Sequence, residues 1–520
     1  LSIGKQGTGT QTFSGGYINY WGSTTVNEGR LVFQNTTAMA NGSSTASFDI
    51  GPNGILEFNG AQNIGSNAAG NTTFTGTGTL LKTGTGMLAL GNQGNNTYKV
   101  NLNMTGGLID IQGGSIRNGG WQGGVWTNNK ASMNIASGAT FDIWDGQAVT
   151  IDALTGDGRV DKGHGTTGTM TLNVGINNGS GDFSGQFTNS SGAGVISLVK
   201  AGSGTQTLSG TADNVGLAVT ANAGTLILAK ASSAGVHAVG GGGLTVGGGT
   251  VQLGGTGGDQ IVDGARVTVN SGTLDMAGLS ETVKYLAGSG GSVSNSGATQ
   301  SVLTLNQANC GGQTYSGTID GDVRLVVQNS TAKNSDVQTL TGANTFAGGL
   351  VIDNGHVRIN ADTNLGAVPG SLDPDNIMLT NAGVLQNNNT DPVLDANRGI
   401  TLGAGGGQIW AGWSKSFTVN GPITGSGSLI KADSGTVLLT NTASDYSGGT
   451  TVTAGLLRAS DRTIGAGGLT LQSGGILFNV SGSGGGASYY DNDFGKAVTL
   501  GAGGGGFRSG WGAMTLSGPI

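Results

Sequence analysis

The chain repeats itself, and that limits what it can fold into more than any other feature. Residues 3 to 33, IGKQGTGTQTFSGGYINYWGSTTVNEGRLVF, line up with 429 to 457, LIKADSGTVLLTNTASDYSGGTTVTAGLL. The closing stretch 498 to 520 lines up with 400 to 423, one residue deleted and with the same GPI ending, so Ile520 corresponds to Ile423. Self-similarity of this kind marks a quasi-one-dimensional architecture in which each unit packs only on its neighbours. The chain therefore reads as a length of rod that starts about where a continuation of its own C-terminus would start. The expectation is that it has no cap at either end and runs into further coils, covalently or by end-to-end stacking in a filament. An open coil exposes unpaired N–H and C=O groups that invite such continuation.

Composition narrows the class. Glycine is 106 of 520 residues and only 10% are charged, yet β-branched and aliphatic residues recur throughout, which disordered chains lack. Net charge is −7 with no run of either sign; nucleic acid needs clustered cations to release counterions, so none is expected as a partner. The single cysteine, Cys310, excludes an intrachain disulfide and a multi-cysteine metal site, and it reads as a buried thiol. No apolar run reaches the ~18 to 20 residues that cross a bilayer as a helix. No export signal is present in this stretch.

Apolar residues alternate with period 2 in short bursts punctuated by Gly, Asn, Asp or Ser, and no helical stripe persists for ten residues. Prolines sit near turn residues, and AVPGSLDPDN at 367 to 376 reads as a protruding loop. Two module types alternate. The first opens on aliphatic residues and a lysine and closes on a glycine before another burst; it lies near 1–33, 80–111, 198–228, 325–359 and 429–457, with a partial repeat at 498–520. Lys5, Lys82, Lys200 and Lys431 share one phase, where the unit at 325–359 has Val327. The second type occupies 131–160 and 265–293. Short strands between Gly- or Asn-bearing corners predict an all-β parallel solenoid, one continuous segment over 1–520 of a longer repeat protein. At ~4.8 Å per coil and roughly 20–25 residues each, the rod is on the order of 100–125 Å long. The recurring lysines are placed at coil corners, since lysine is a rare core residue.

The first module resembles the autotransporter-associated β-strand repeat, or passenger-associated transport repeat. The likeness is carried by Lys431, Gly435, Tyr446, Gly448, Gly449, Thr450, Val452, Gly455 and Leu456, and in the fourth unit by Asn344, Phe346, Gly348 and Gly349. The units at 80–111 and 198–228 keep only the flanks. The resemblance implies a right-handed parallel β-helix exported by bacteria to the cell surface or the extracellular space.

Catalytic and metal motifs are sparse. Gly163-His164-Gly165 and Asn389-Thr390-Asp391 match pieces of a β-helix hydrolase pattern, but in reversed order and without an adjacent Asp pair or an R-I-K. Paired carboxylates must flank a bond within about 5–9.5 Å, and 200 residues of solenoid separate these. GGTGGDQIV at 254 to 262 fits a calcium nonapeptide, yet such sites need tandem copies. No cofactor or metal is expected. Five tryptophans lie beside glycines: Trp121, Trp126, Trp410, Trp413 and Trp511. They are aromatics stacked inside the coil, the reading the small neighbours favour, or exposed platforms for glycan rings or a neighbouring rod. The expected function is a structural or adhesive rod, extracellular or at the bacterial surface, fibre-forming and without catalysis. The alternatives are a glycan-binding module and a polysaccharide-degrading β-helix enzyme.

Overall fold

The computed structural model describes the chain except residues 17, 19, 21, 35–46, 65–71, 92–99, 120–125, 145–147, 166, 330–334, 480–492 and 510–513. It divides into two compact units, Leu1–Arg266 with Gly272–Leu274, and Val267–Ser271 with Asp275–Ile520.

In the first unit the coils between 131 and 200 turn through three faces. Leu154–Gly156, Arg159–Asp161 and Thr169–Val174 are the strands of one coil. They stack in parallel on Ser132–Ile135, Thr140–Asp142 and Ala148–Thr150 of the coil before, and on Gly181–Phe183, Gln186–Thr188 and Val195–Lys200 of the coil after. The second unit is built alike: Arg398–Leu402, Gly407–Trp410 and Ser416–Val419 carry Ile423–Gly425, Leu429–Ala432 and Thr436–Leu439 in register. The fold is a parallel β-solenoid in both units. Among the described residues the helical content is one 3-10 turn, Asp362–Leu365.

The period-2 bursts fold this way because inward positions stack into columns. Leu226 over Val251 and Leu228 over Leu253 form one such pair of columns, all four buried. Phe13, Phe33 and Phe58 form another, with ring centroids 5.9 and 5.8 Å apart. Each buried aliphatic or aromatic side chain contributes roughly 1.5–3 kcal/mol, so the core grows coil by coil. The buried Gln206 is satisfied by main chain two coils away: it accepts from Leu154 N at 3.1 Å and donates to Leu154 O at 2.9 Å.

The expected loop at 367–376 is shorter in the structure, because strand Asp373–Thr380 starts within it. The register slips between Asp373 and Ile377, a bulge that tolerates the missing donor of Pro374. The fully buried Arg398 then holds the segment down, donating to Asp362 Oδ1 at 2.8 Å, Asn376 Oδ1 at 2.8 Å and Gly366 O at 2.6 Å.

Candidate functional site

The recurring lysine is the element that the repeats build most consistently, and it lies inside the coil. Lys82, Lys200 and Lys431 are 0% exposed and Lys5 nearly so, which corrects the expectation of a solvated corner. Each occupies an inward-facing strand position, so its stem extends the apolar column while its ammonium reaches the corner just beyond. There it finds main-chain oxygens from two successive coils. Lys82 Nζ donates to Thr83 O at 2.6 Å, Gly84 O at 3.2 Å and Gly113 O at 3.4 Å. Lys200 Nζ donates to Gly202 O at 2.8 Å and Ala223 O at 3.3 Å. Lys431 Nζ donates to Asp433 O, and to Ala454 O at 2.9 Å. Burial pushes the Lys82 and Lys431 ammonium groups down to about 8, against the opposing pull of Glu57 and Asp433.

The spacing of the motif follows from this cage. Lys431 pairs across the ladder with Val452, and three residues on comes Gly455, at φ 63. A Cβ there would lie 2.6 Å from Lys431 Nζ, so the closing glycine is required both by its left-handed backbone and by the ammonium beneath it. Gly29, Gly114 and Gly224 stand in the same place, all at positive φ. The exception explains itself: Val327 fills the lysine position, and Asn354 of the next coil donates to Asn329 O in its stead.

A second cage surrounds the aromatic of the motif. The buried Tyr446 hydroxyl lies 2.6 Å from Thr450 Oγ1, and a Cβ on Gly448 would come within 2.4 Å of Gly427 C. In the fourth unit Phe346 replaces the tyrosine and Leu350 the threonine, so hydroxyl and partner disappear together.

The other motifs are absorbed by corners. His164 O accepts from Lys162 Nζ at 2.7 Å. In the second unit Asn387 Nδ2 donates to Thr390 O at 2.6 Å and Asp391 Oδ1 accepts from Ser416 N at 2.7 Å. Asp259 of the glycine-rich nonapeptide faces His237 Nε2 at 3.4 Å, while His237 Nδ1 lies 3.1 Å from Asp213. Among the described residues no group of three or more His, Cys, Asp or Glu is placed to hold a metal ion. Cys310 is half-buried and its thiol is pushed up to about 11, chiefly by burial.

The tryptophans divide. Trp126 is fully buried, its ring 5.3 Å from Phe141. Trp410 is half-buried, edge-on to His356 at 5.1 Å, with Nε1 donating to Gln408 at 2.9 Å. Trp413 is 81% exposed. Trp121 and Trp511 lie outside the described residues. A sixth, Trp144, was not singled out by its sequence context. It holds φ 54, with the Arg117 guanidinium 4.3 Å over its ring and His164 at 5.0 Å. Its counterpart in the other second-type module is Ala277, at φ 48. The shared signal is the aspartate two residues earlier: Asp142 and Asp275 each accept from that residue's N–H, at 2.9 and 3.0 Å.

With this geometry established, likeness to known proteins becomes specific. The passenger-associated-transport-repeat family matches at 4–33, 198–228, 331–359 and 429–459. The chain carries passenger-associated transport repeats. The unit at 80–111 is not among the matched stretches, although Lys82 builds the same cage. A stretch of 167 residues is 34% identical to the Adhesin BmaC autotransporter of Brucella suis biovar 1 (strain 1330), covering 29% of this chain. The chain spans 5% of that relative's length. No solved structure is a significant match. Among the described residues no helix is long and apolar enough to cross a membrane.

Proposed function

We propose that this chain is a structural and adhesive segment of a bacterial surface or extracellular protein, and that it has no catalytic role. The observation that carries this reading is Trp413. The scaffold's interior takes in the lysines of the repeat phase, and among the described residues Trp413 is the one large aromatic left strongly exposed, at 81%, two residues from Lys415, which pairs with Asp391 at 3.5 Å. An exposed ring with a polar tip suits contact with a glycan or protein surface. The autotransporter adhesin likeness supports the same role, and the glycan-binding alternative would use the same ring.

The test is bead adhesion. Beads coated with the full chain are expected to adhere to fixed epithelial monolayers. Trp413→Ala should lower adhesion severalfold with an unchanged circular-dichroism melt. Beads that adhere no better than albumin-coated ones would defeat the adhesive reading, and turnover of any member of a polysaccharide panel would defeat the non-catalytic one.

A further inference from the structure

The first unit carries a groove of about 690 Å³ that crosses four successive coils. Its lining is four tripeptides: 138–140, 157–159, 184–186 and 210–212. The floor is main chain. A Cβ on Gly158 would lie 2.5 Å from Ala136 O, and one on Gly185 would lie 2.0 Å from Gly158 O, so no side chain can fill the channel there. From inside the coil, the buried Lys230 Nζ donates to Gly185 O at 2.7 Å, which fixes the floor from behind.

Each of the four coils gives the groove at least one polar side chain, and the two middle coils give two. After the corner stand Thr140, Arg159 and Gln186, cross-strand partners on three adjacent coils, while the fourth coil offers Thr211 at the corner itself. Before the corner stand Asp157 and Ser184. Arg159 and Asp157 are both exposed, and among the described residues neither takes part in a side-chain ion pair. Gln186 spends its Nε2 on Asp213 O at 2.9 Å, leaving its amide oxygen as an acceptor.

We propose that this groove binds an uncharged linear glycan laid along the direction of coil stacking. Register is the first reason. Donors and acceptors recur at the inter-coil spacing of ~4.8 Å, and a pyranose unit advances an extended glycan by nearly the same distance. An extended peptide rises only ~3.3 Å per residue, so its groups fall out of step after one coil. Charge is the second reason. One arginine and one aspartate cancel, and hydroxyls that donate and accept use both; an anionic polymer would meet Asp157 with a single cation to offset it. Shape is the third. A glycine floor lets a flat ring approach the main chain closely, and the volume falls within the ~300–1,000 Å³ of ordinary ligand sites. The site is in the first unit and does not depend on Trp413.

Native affinity electrophoresis of the full chain tests it, in gels carrying mixed-linkage β-glucan, xyloglucan or glycol chitin as neutral probes and polygalacturonate as the anionic one. At least one neutral glycan should retard the chain more than polygalacturonate does. The double variant Asp157→Ala/Arg159→Ala removes the one charged pair of the groove and should lose at least tenfold in apparent affinity, equivalent to about 1.4 kcal/mol. Both residues are exposed, and an unchanged melt checks that the variant folds. Trp413→Ala should be retarded like the wild type, which separates this site from the adhesive reading. The proposal is overturned if no neutral glycan retards the chain, if polygalacturonate retards it most, or if the folded double variant behaves as the wild type.

Discussion

Replacing Lys431 with valine tests the lysine cage directly, because the fourth unit already holds valine at that position. The substitution strips Asp433 O and Ala454 O of their donor. A buried acceptor left unpaired costs about 1–3 kcal/mol, so two cost roughly 2–6 kcal/mol. Valine is also shorter than the lysine stem by about two methylenes, at ~0.8 kcal/mol each. Against this stands the relief of no longer burying a charge. Lys431 is pushed from 10.5 to about 8, a shift equivalent to roughly 3 kcal/mol at ~1.36 kcal/mol per pH unit. The terms leave a net loss of about 2–3 kcal/mol at mid-range, or roughly 30- to 150-fold in the local opening equilibrium. Global unfolding of a long repeat array need not be two-state, so the assay is hydrogen exchange by mass spectrometry on peptides spanning 429–459. Amides such as Thr453 N, bonded to Lys431 O at 2.9 Å, should exchange faster by that factor. Protection in Lys431→Val equal to that of the wild type would refute the claim that the ammonium satisfies these corners.

Further outcomes follow from the same contacts. Lys82, Lys230 and Lys431 all have depressed values, down to about 8. Between about pH 8 and 10.5 the unfolded chain holds protons that the folded chain has released, so stability to urea should rise with pH across that window and be flat just below it; in Lys431→Val the rise should be smaller. Tyr446→Phe leaves the buried Thr450 hydroxyl unpaired and should cost about 1–2 kcal/mol, while Tyr446→Phe with Thr450→Leu should recover most of it, read as exchange protection at Thr450 to Val452. Arg398→Met strands the Asp362 carboxylate and should cost about 3–5 kcal/mol locally, detected as new cleavage by limited proteolysis between Gly366 and Leu372.

Much of this protein was legible in the order of its residues. Alternating bursts between glycine and asparagine corners dictate strands too short to stand alone, and a repeat dictates that they stack on copies of themselves. That is why the parallel solenoid and the shared phase of Lys5, Lys82, Lys200 and Lys431 follow from the residues alone. The burial of those lysines could not, because propensity assigns a charge to solvent and only a closed corner supplies carbonyls from two coils at once.

The face that each module occupies was likewise decided by tertiary structure alone. Lys82 lies in a strand of the first face, with Met87–Leu90 of the second face following, whereas Lys200 lies in a strand of the third face and Thr205–Leu208 of the first follows. Ile400 and Val498 occupy one phase of the repeat, and each donates to the GPI proline carbonyl of the coil above, Pro422 and Pro519, at 2.9 and 2.8 Å. Yet Ile400 stacks on Ile377 in one sheet of the second unit and Val498 on Leu469 in another. The sequence repeat is not a whole number of coils, so the same motif arrives at different corners. Local chemistry is preserved because each corner is built only from its two neighbouring coils. Which side chains end up on a common outer surface, as Thr140, Arg159 and Gln186 do, depends on how many residues each coil consumes, and that count is set by packing.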